Sequence, residues 1–142
     1  MQVIWLKQAQ PIGSIPGEDN FPEHAESFEN QLENIVKNIL ARYPNVKQVF
    51  LSSRTRSYTY CSGLHPEPYA FETGFLVKWL IERQIQGDPA LNFDPDRGNV
   101  LAPYLAWGPY LWADGPNPRS MVLSGFRATW SETAPIRQTA VK

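Results

Sequence analysis

The chain has 142 residues, of which 42% are hydrophobic and 19% are charged, a composition typical of one folded domain and not of a disordered chain. Its formal net charge of -1 offers no general basic surface, which argues against nucleic acid or an anionic membrane as the main partner. No apolar run approaches the roughly 20 residues of a membrane-spanning helix, so no membrane partner is expected.

The amino terminus predicts a strand and not an export signal. The apolar run Gln2 to Leu6 is short, and it lacks both a basic region and a small-residue cleavage site. The single cysteine, Cys61, excludes an internal disulfide framework. These features leave the cellular compartment open.

The first half of the chain predicts two strands and one helix. Gln2 to Leu6 and Lys47 to Ser52 are short apolar runs typical of buried strands. Between them an amphipathic helix is predicted from about residue 23 to 42, with Pro44 ending it. Its apolar residues recur at steps of three and four: Ala25, Phe28, Leu32, Ile35, Val36, Ile39 and Leu40.

The second half predicts one more helix and one more strand. The helix runs from Pro68 to Gln86, with Gly87 capping its end, and the strand from Ala102 to Trp107. The apolar stripe of the helix is expected to comprise Phe71, Phe75, Leu76, Trp79 and Leu80. The order strand, helix, strand, helix, strand predicts an α/β fold with a parallel sheet and crossover helices.

The predicted sheet indicates where a ligand would bind. In an open parallel sheet, ligands bind beyond the carboxyl ends of the strands. Here the residues in that position are Lys7 to Gln10, Ser52 to Arg54, and Trp107 to Tyr110.

Four segments carry a resemblance to a known family. They are Trp5-Leu6-Lys7, Leu51-Ser52-Ser53-Arg54, Pro66-Glu67-Pro68-Tyr69-Ala70-Phe71-Glu72 and Trp107-Gly108-Pro109-Tyr110. The last two are the specific ones, and the second of these lies in a longer matching segment that ends with Pro118-Arg119-Ser120. From Gln2 to Ser120 the chain resembles a bacterial branch of the SGNH (GDSL-type) hydrolases.

The resemblance implies a flavodoxin-like parallel sheet with helices in three layers, of which this chain would hold a part that lacks the amino-terminal βα unit. It also implies ester hydrolysis by a Ser nucleophile, a His base and an orienting Asp, acting on a small acyl or sugar ester without a cofactor or a metal. The family's Gly-Asp-Ser block is missing here, since Gly17-Glu18-Asp19 is not followed by Ser. No catalytic residue is therefore assigned.

Beyond Ser120 the resemblance ends. The family continues there with Asp-Gly and then with Asp-Gly-Thr-His-Pro-Ser, which supplies the catalytic Asp and His. A one-base shift of the reading frame could restore this block within residues 121–142. In the shifted frame each codon consists of the last base of one triplet and the first two bases of the next, and permissible codons then encode the block. The Asp would span Glu132/Thr133 and the His would span Pro135/Ile136.

The resemblance predicts two parts of the chain and leaves two alternative functions. Residues 1–120 would form the partial hydrolase-like domain, and residues 121–142 an out-of-frame or disordered tail, an ordinary divergent terminus being the alternative. The chain would then be an inactive remnant of an ester hydrolase. The alternative is a ligand-binding or interaction module without catalysis.

The candidate binding residues come from the three strand ends and the second helix. Gln10 stands near the position of the family's oxyanion-hole Asn, and an acyl or sugar-ester groove would be lined by Arg54, Tyr69, Glu72, Trp107 and Tyr110. Glu72 has an alternative structural role, because a carboxylate favours a helix N-terminus.

Two further interpretations concern residues outside this groove. Ser57, His65 and Glu67 have the side-chain types of a triad, but residues from one loop establish no geometry. His24, at a helix start, is expected on the surface.

Overall fold

A computed structural model of the chain describes residues 1–11, 20–57, 64 and 66–114. Its strands and main helices are β1 (Val3–Leu6), α1 (Glu23–Arg42), β2 (Gln48–Leu51), α2 (Tyr69–Ile85) and β3 (Tyr104–Trp107). All five predicted elements are confirmed, with bounds that differ by no more than one or two residues. The predicted domain boundary at residue 120 and the tail 121–142 lie outside the described residues.

The three strands form one parallel sheet in the order β1-β2-β3. Ile4 is level with Val49, and Val49 is level with Leu105. The α/β class and the parallel crossover pattern are thus confirmed. The arrangement is compatible with part of a flavodoxin-like fold.

Both helices lie on the same face of the sheet and pack against each other. Two successive crossovers in the same direction produce this arrangement, because βαβ units are right-handed. The strand residues Val49, Leu51 and Leu105 face the helices and are buried with them. The helices contribute these residues to the shared core: Phe28, Leu32, Val36, Leu76, Val77, Leu80 and Ile81.

The opposite face of the sheet carries the alternate strand residues. Val3, Trp5 and Tyr104 are exposed there, Trp5 by 63%. The described residues therefore form two layers, and none of them supplies the third layer that was expected. Among these residues no helix is both long and apolar enough to cross a bilayer.

Local sequence explains where α2 ends. Gly87 has a φ of 86°, a left-handed conformation that a residue with a Cβ rarely adopts. The turn allows the N–H of Gly87 to donate to the carbonyl of Gln84, and the N–H of Asp88 to that of Arg83. The predicted cap at Gly87 is confirmed.

The predicted apolar stripe of α2 is partly wrong. Leu76 and Leu80 are buried as expected, but Phe71 and Phe75 are 39% and 38% exposed. The buried face passes instead through Thr73 and the other residues that α2 buries: Ala70, Glu72, Val77, Ile81 and Gln84. Because apolar residues occur around most of this helix, their spacing alone does not identify the side that meets the sheet.

A buried amide joins α2 to the third strand. The Gln84 side chain donates from Nε2 to the carbonyls of Leu91 and Pro103, at 3.0 Å each. Its Oε1 accepts a hydrogen bond from the N–H of Leu105 at 2.8 Å. Both ends of the buried amide are satisfied, so Gln84 fixes α2 against the start of β3.

An ionic cluster joins α2 to α1. The Arg83 guanidinium contacts the carboxylates of Glu29 at 3.0 Å, Glu33 at 2.8 Å and Asp88 at 2.6 Å. Glu29 is buried, so its charge relies on this contact for compensation.

We expect Arg83→Met to lower the free energy of unfolding by about 1–2 kcal/mol, because it leaves the buried Glu29 carboxylate uncompensated. Urea denaturation followed by circular dichroism measures the change. Arg97→Met is the matched control, since Arg97 is exposed and its ion pair with Asp94 lies on the surface, and it should alter the free energy of unfolding by less than about 0.5 kcal/mol. Equal effects of the two substitutions would contradict the role of the cluster.

Candidate functional site

The carboxyl ends of the strands are joined by two serines that follow β2. Ser52 and Ser53 are buried. The indole N–H of Trp5, on β1, donates to Oγ of Ser52 at 2.8 Å. The main-chain N–H of Leu111, after β3, donates to Oγ of Ser53 at 2.9 Å. The segment after β2 therefore bonds to β1 on one side and to the chain beyond β3 on the other.

Gly108 allows β3 to approach this junction closely. Its N–H donates to the carbonyl of Leu51 at 2.7 Å. A Cβ at residue 108 would overlap Oγ of Ser52 and would lie 3.2 Å from the Leu51 carbonyl oxygen and 3.3 Å from Nε1 of Trp5. The position thus requires glycine for space.

Glu67 holds three further segments together. One oxygen, Oε1, accepts from the main-chain N–H of Ser57 at 2.8 Å and from the indole N–H of Trp112 at 2.9 Å. The other, Oε2, accepts from the N–H of Phe71 at 3.2 Å. The Glu67 carboxylate therefore connects the chain after β2, the first turn of α2 and the chain after β3.

This geometry bears on the triad ingredients noted in the sequence. Glu67 binds the main-chain N–H of Ser57, a contact that any residue at position 57 except proline would supply. His65 lies outside the described residues. The described contact between Ser57 and Glu67 is therefore a structural one that does not involve the Ser57 hydroxyl.

Two of the predicted groove residues are attached to α2. The N–H of Arg54 donates to Oγ1 of Thr73 at 2.8 Å, and Nε of Arg54 is buried without a hydrogen-bond partner among the described residues. The ring of Tyr110 lies against Gly74, where a Cβ would come within 2.8 Å of a ring carbon. Small side chains on α2 thus admit the segments after β2 and β3.

Two other predicted groove residues, Tyr69 and Glu72, lie in the first turn of α2 beside His24. The Tyr69 and His24 rings have centroids 4.4 Å apart, and Nδ1 of His24 lies 3.5 Å from Oε2 of Glu72. The expectation of a surface histidine is wrong, because His24 is only 4% exposed. It is buried because it faces α2, which the spacing within α1 alone did not reveal.

The Glu72 carboxyl lies in an environment that favours its neutral form. Burial, and next the nearby carboxylate of Glu67, raise the pKa of Glu72 above its usual value. The residue is 6% exposed. Glu72 is therefore a buried acid at the start of a helix, and its contact with His24 connects α1 to α2.

The remaining candidates are Gln10, four residues beyond the end of β1, and Trp107, the last residue of β3. Gln10 is buried, with 3% of its surface exposed, and Oε1 of its amide is among the buried atoms. Trp107 ends β3 level with Leu51, and it is exposed. Burial limits direct access of a ligand to Gln10, whereas Trp107 is open to one.

Two larger cavities lie away from this edge of the sheet, and a small one of about 10 Å³ lies at it, lined partly by Leu51, Ser52 and Thr73. No group of three potential metal-binding side chains occurs within the described part of the chain. A cavity of about 420 Å³ lies at the amino ends of the strands, lined partly by Val46, Ala102 and Tyr104. A second, of about 270 Å³, follows α2 beside Gln84 and Phe93. Neither cavity is lined by a predicted groove residue.

We expect Gly108→Ala to lower the free energy of unfolding by about 1–3 kcal/mol, because the new methyl group must displace Ser52 or the β3 end. Urea denaturation of the purified chain measures the loss. In a Ser52→Ala background the closest clashing atom is absent, so Gly108→Ala should lower the free energy of unfolding by less than it does in the parent chain. Additive effects of the two substitutions would contradict the close approach.

Comparisons of the chain with protein-family models, with curated proteins and with solved structures found no match.

Proposed function

We propose that this chain is part of an SGNH (GDSL-type) ester hydrolase and that it contributes the wall of the ligand site without the groups that carry out the chemistry. The substrate class would be a small acyl or sugar ester. The proposal is based on the positions of four sequence segments in the fold.

The observation that carries the proposal is the meeting of all four resembling segments at one edge of the sheet. Trp5 bonds to Ser52 there. Gly108 bonds to the carbonyl of Leu51 at the same edge. Glu67 of the Pro-Glu-Pro-Tyr segment bonds to Trp112 beyond β3. Segments that are far apart in sequence share direct contacts where ligands of parallel sheets bind, which favours one common site.

The available side chains suit binding more than catalysis. Arg54 offers a guanidinium whose buried Nε has no hydrogen-bond partner in the part of the chain that the structure describes, and Trp107 offers an exposed indole. The hydroxyl oxygens of Ser52 and Ser53 already accept hydrogen bonds from Trp5 and Leu111.

Catalysis would require residues that this sequence does not encode as written. Ester hydrolysis in the family uses a Ser nucleophile, which would lie in a Gly-Asp-Ser block, and an Asp-His block, which another reading frame of residues 121–142 could encode. Loss of such a triad lowers catalysis by several orders of magnitude even in an intact site. The chain by itself would therefore be inactive.

A band of aromatic side chains favours the alternative, an interaction module. This aromatic band comprises Phe21, Phe71, Phe75, Trp79 and Trp112, with ring centroids 4.9–6.0 Å apart along the outer side of α2. Phe21, Phe71 and Phe75 are exposed. Exposed contiguous apolar surface marks interaction sites on soluble proteins.

Sequencing the gene from well upstream of the Met1 codon through the stop codon tests the proposal. We expect an upstream open frame with a Gly-Asp-Ser block and a single-base difference near the Ser120 codon that restores the Asp-His block. The protein from that frame should hydrolyse p-nitrophenyl acetate. Replacing its Gly-Asp-Ser serine by alanine should lower kcat by at least about 10³-fold.

The 142-residue chain is the matched control and should show no hydrolysis above the uncatalysed rate. An unaltered sequence with no Gly-Asp-Ser frame upstream would contradict an encoded hydrolase. Hydrolysis by the 142-residue chain itself would contradict the assignment of its residues to the site wall. A stable complex formed through the aromatic band would favour the interaction module.

A further inference from the structure

The strongest unexplained feature of the molecule is a pair of buried titratable groups between two helix starts. His24 lies in the first turn of α1 and Glu72 in the first turn of α2. Their side chains are almost fully buried, and Nδ1 of His24 lies 3.5 Å from Oε2 of Glu72. The contact spans 48 residues of sequence and links the two helices at the candidate edge of the sheet.

The number of protons on this pair determines whether it leaves a net charge in the interior. With one proton the pair is neutral overall, whether the proton resides on the imidazole or on the carboxyl. With none, a carboxylate is buried near the carboxylate of Glu67, and with two, an imidazolium is buried. Burial of a net charge is strongly unfavourable, so the state with one proton is the most stable in the folded chain.

Other titratable groups lie on the elements around this junction. They are, by element, Glu23 and Glu26 in the first turn of α1, Tyr69 in the first turn of α2, Glu67 just before it and Arg54 just after β2. Of these groups, the Glu67 carboxylate is the one whose charge raises the pKa of Glu72, and it thereby favours a proton on the pair.

We propose that His24 and Glu72 share one proton around neutral pH, and that losing it weakens the junction between α1 and α2, which makes this edge of the sheet responsive to pH. The shared proton belongs to both residues, so its titration is a property of the pair. The Tyr69 ring packs on His24, so loss of the proton would also affect Tyr69, which is one of the predicted groove residues.

Whether stability rises or falls with pH depends on how proton binding by the pair differs between the folded and the unfolded chain. Burial, and next the charge of Glu67, raise the pKa of Glu72, and a group whose pKa is raised by folding stabilises the fold at low pH. That stability disappears as pH rises through the pKa of the folded pair. In the unfolded chain the last proton leaves near the ordinary pKa of histidine, about 6.5. In the proposed arrangement the folded pair keeps its last proton above that value, so the free energy of unfolding should fall as pH rises through it.

NMR titration of the His24 ring tests this proposal. The chain has two histidines, so His65→Gln leaves His24 as the single imidazole signal. Between about pH 5 and pH 9, the His24 ring should titrate with an apparent pKa above the ordinary value of about 6.5. Glu72→Gln should lower that pKa by about one pH unit or more, because a buried imidazole without the carboxylate loses its proton more readily.

Urea denaturation across the same pH range gives the second readout. The loss of stability above about pH 6.5 should disappear in Glu72→Gln and also in His24→Gln. Two variants are used so that the test still holds if one of them folds poorly. Glu82→Gln, an exposed position on α2 paired with Lys78, is the control and should preserve both the titration and the pH dependence. A His24 pKa below the ordinary value in the parent chain, or one unchanged by Glu72→Gln, would overturn the proposal.

Discussion

The parallel pairing of three four-residue strands is the constraint on which the rest of the molecule depends. Because β1, β2 and β3 run in the same direction, their carboxyl ends meet at one edge, and both crossover helices begin near that edge. The central strand has the largest role, since the residues that follow it bond to both neighbours through Ser52 and Ser53. Short strands have few ladder hydrogen bonds, so the side-chain bonds at this end contribute substantially to the register.

Two kinds of interaction hold the layers together, and they differ between the ends of the helices. At the middle and carboxyl end of α2, apolar burial is supplemented by Gln84 and Arg83, whose polar atoms are satisfied by several partners. At the amino ends of both helices, the contact is instead the buried pair His24 and Glu72. Its charge depends on protonation. The proposed loss of the shared proton would therefore act on the edge that carries the candidate site.

The positions of the elements could be predicted from sequence because apolar spacing and a left-handed glycine are local signals. The length of α1 and the end of α2 at Gly87 follow from such signals. The contacts of His24 could not be predicted, because its burial depends on where a second helix lies. The roles of Glu67 and Ser52 were missed for the same reason: their partners lie 45 and 47 residues away, and only the fold brings them together. The exposed Phe71 and Phe75 show that a largely apolar helix does not specify its buried side.

The measurement that tests the meeting of these segments most directly is a ¹⁵N–¹H NMR spectrum of the five tryptophan indole groups. The structure pairs the Trp5 indole with Ser52 and the Trp112 indole with Glu67. Ser52→Ala should therefore move the Trp5 indole signal and speed its hydrogen exchange, leaving that of Trp112 in place, whereas Glu67→Ala should do the reverse. Each substitution is the control for the other. If neither indole signal responds to the loss of its partner, the account of the carboxyl edge as one bonded site is contradicted.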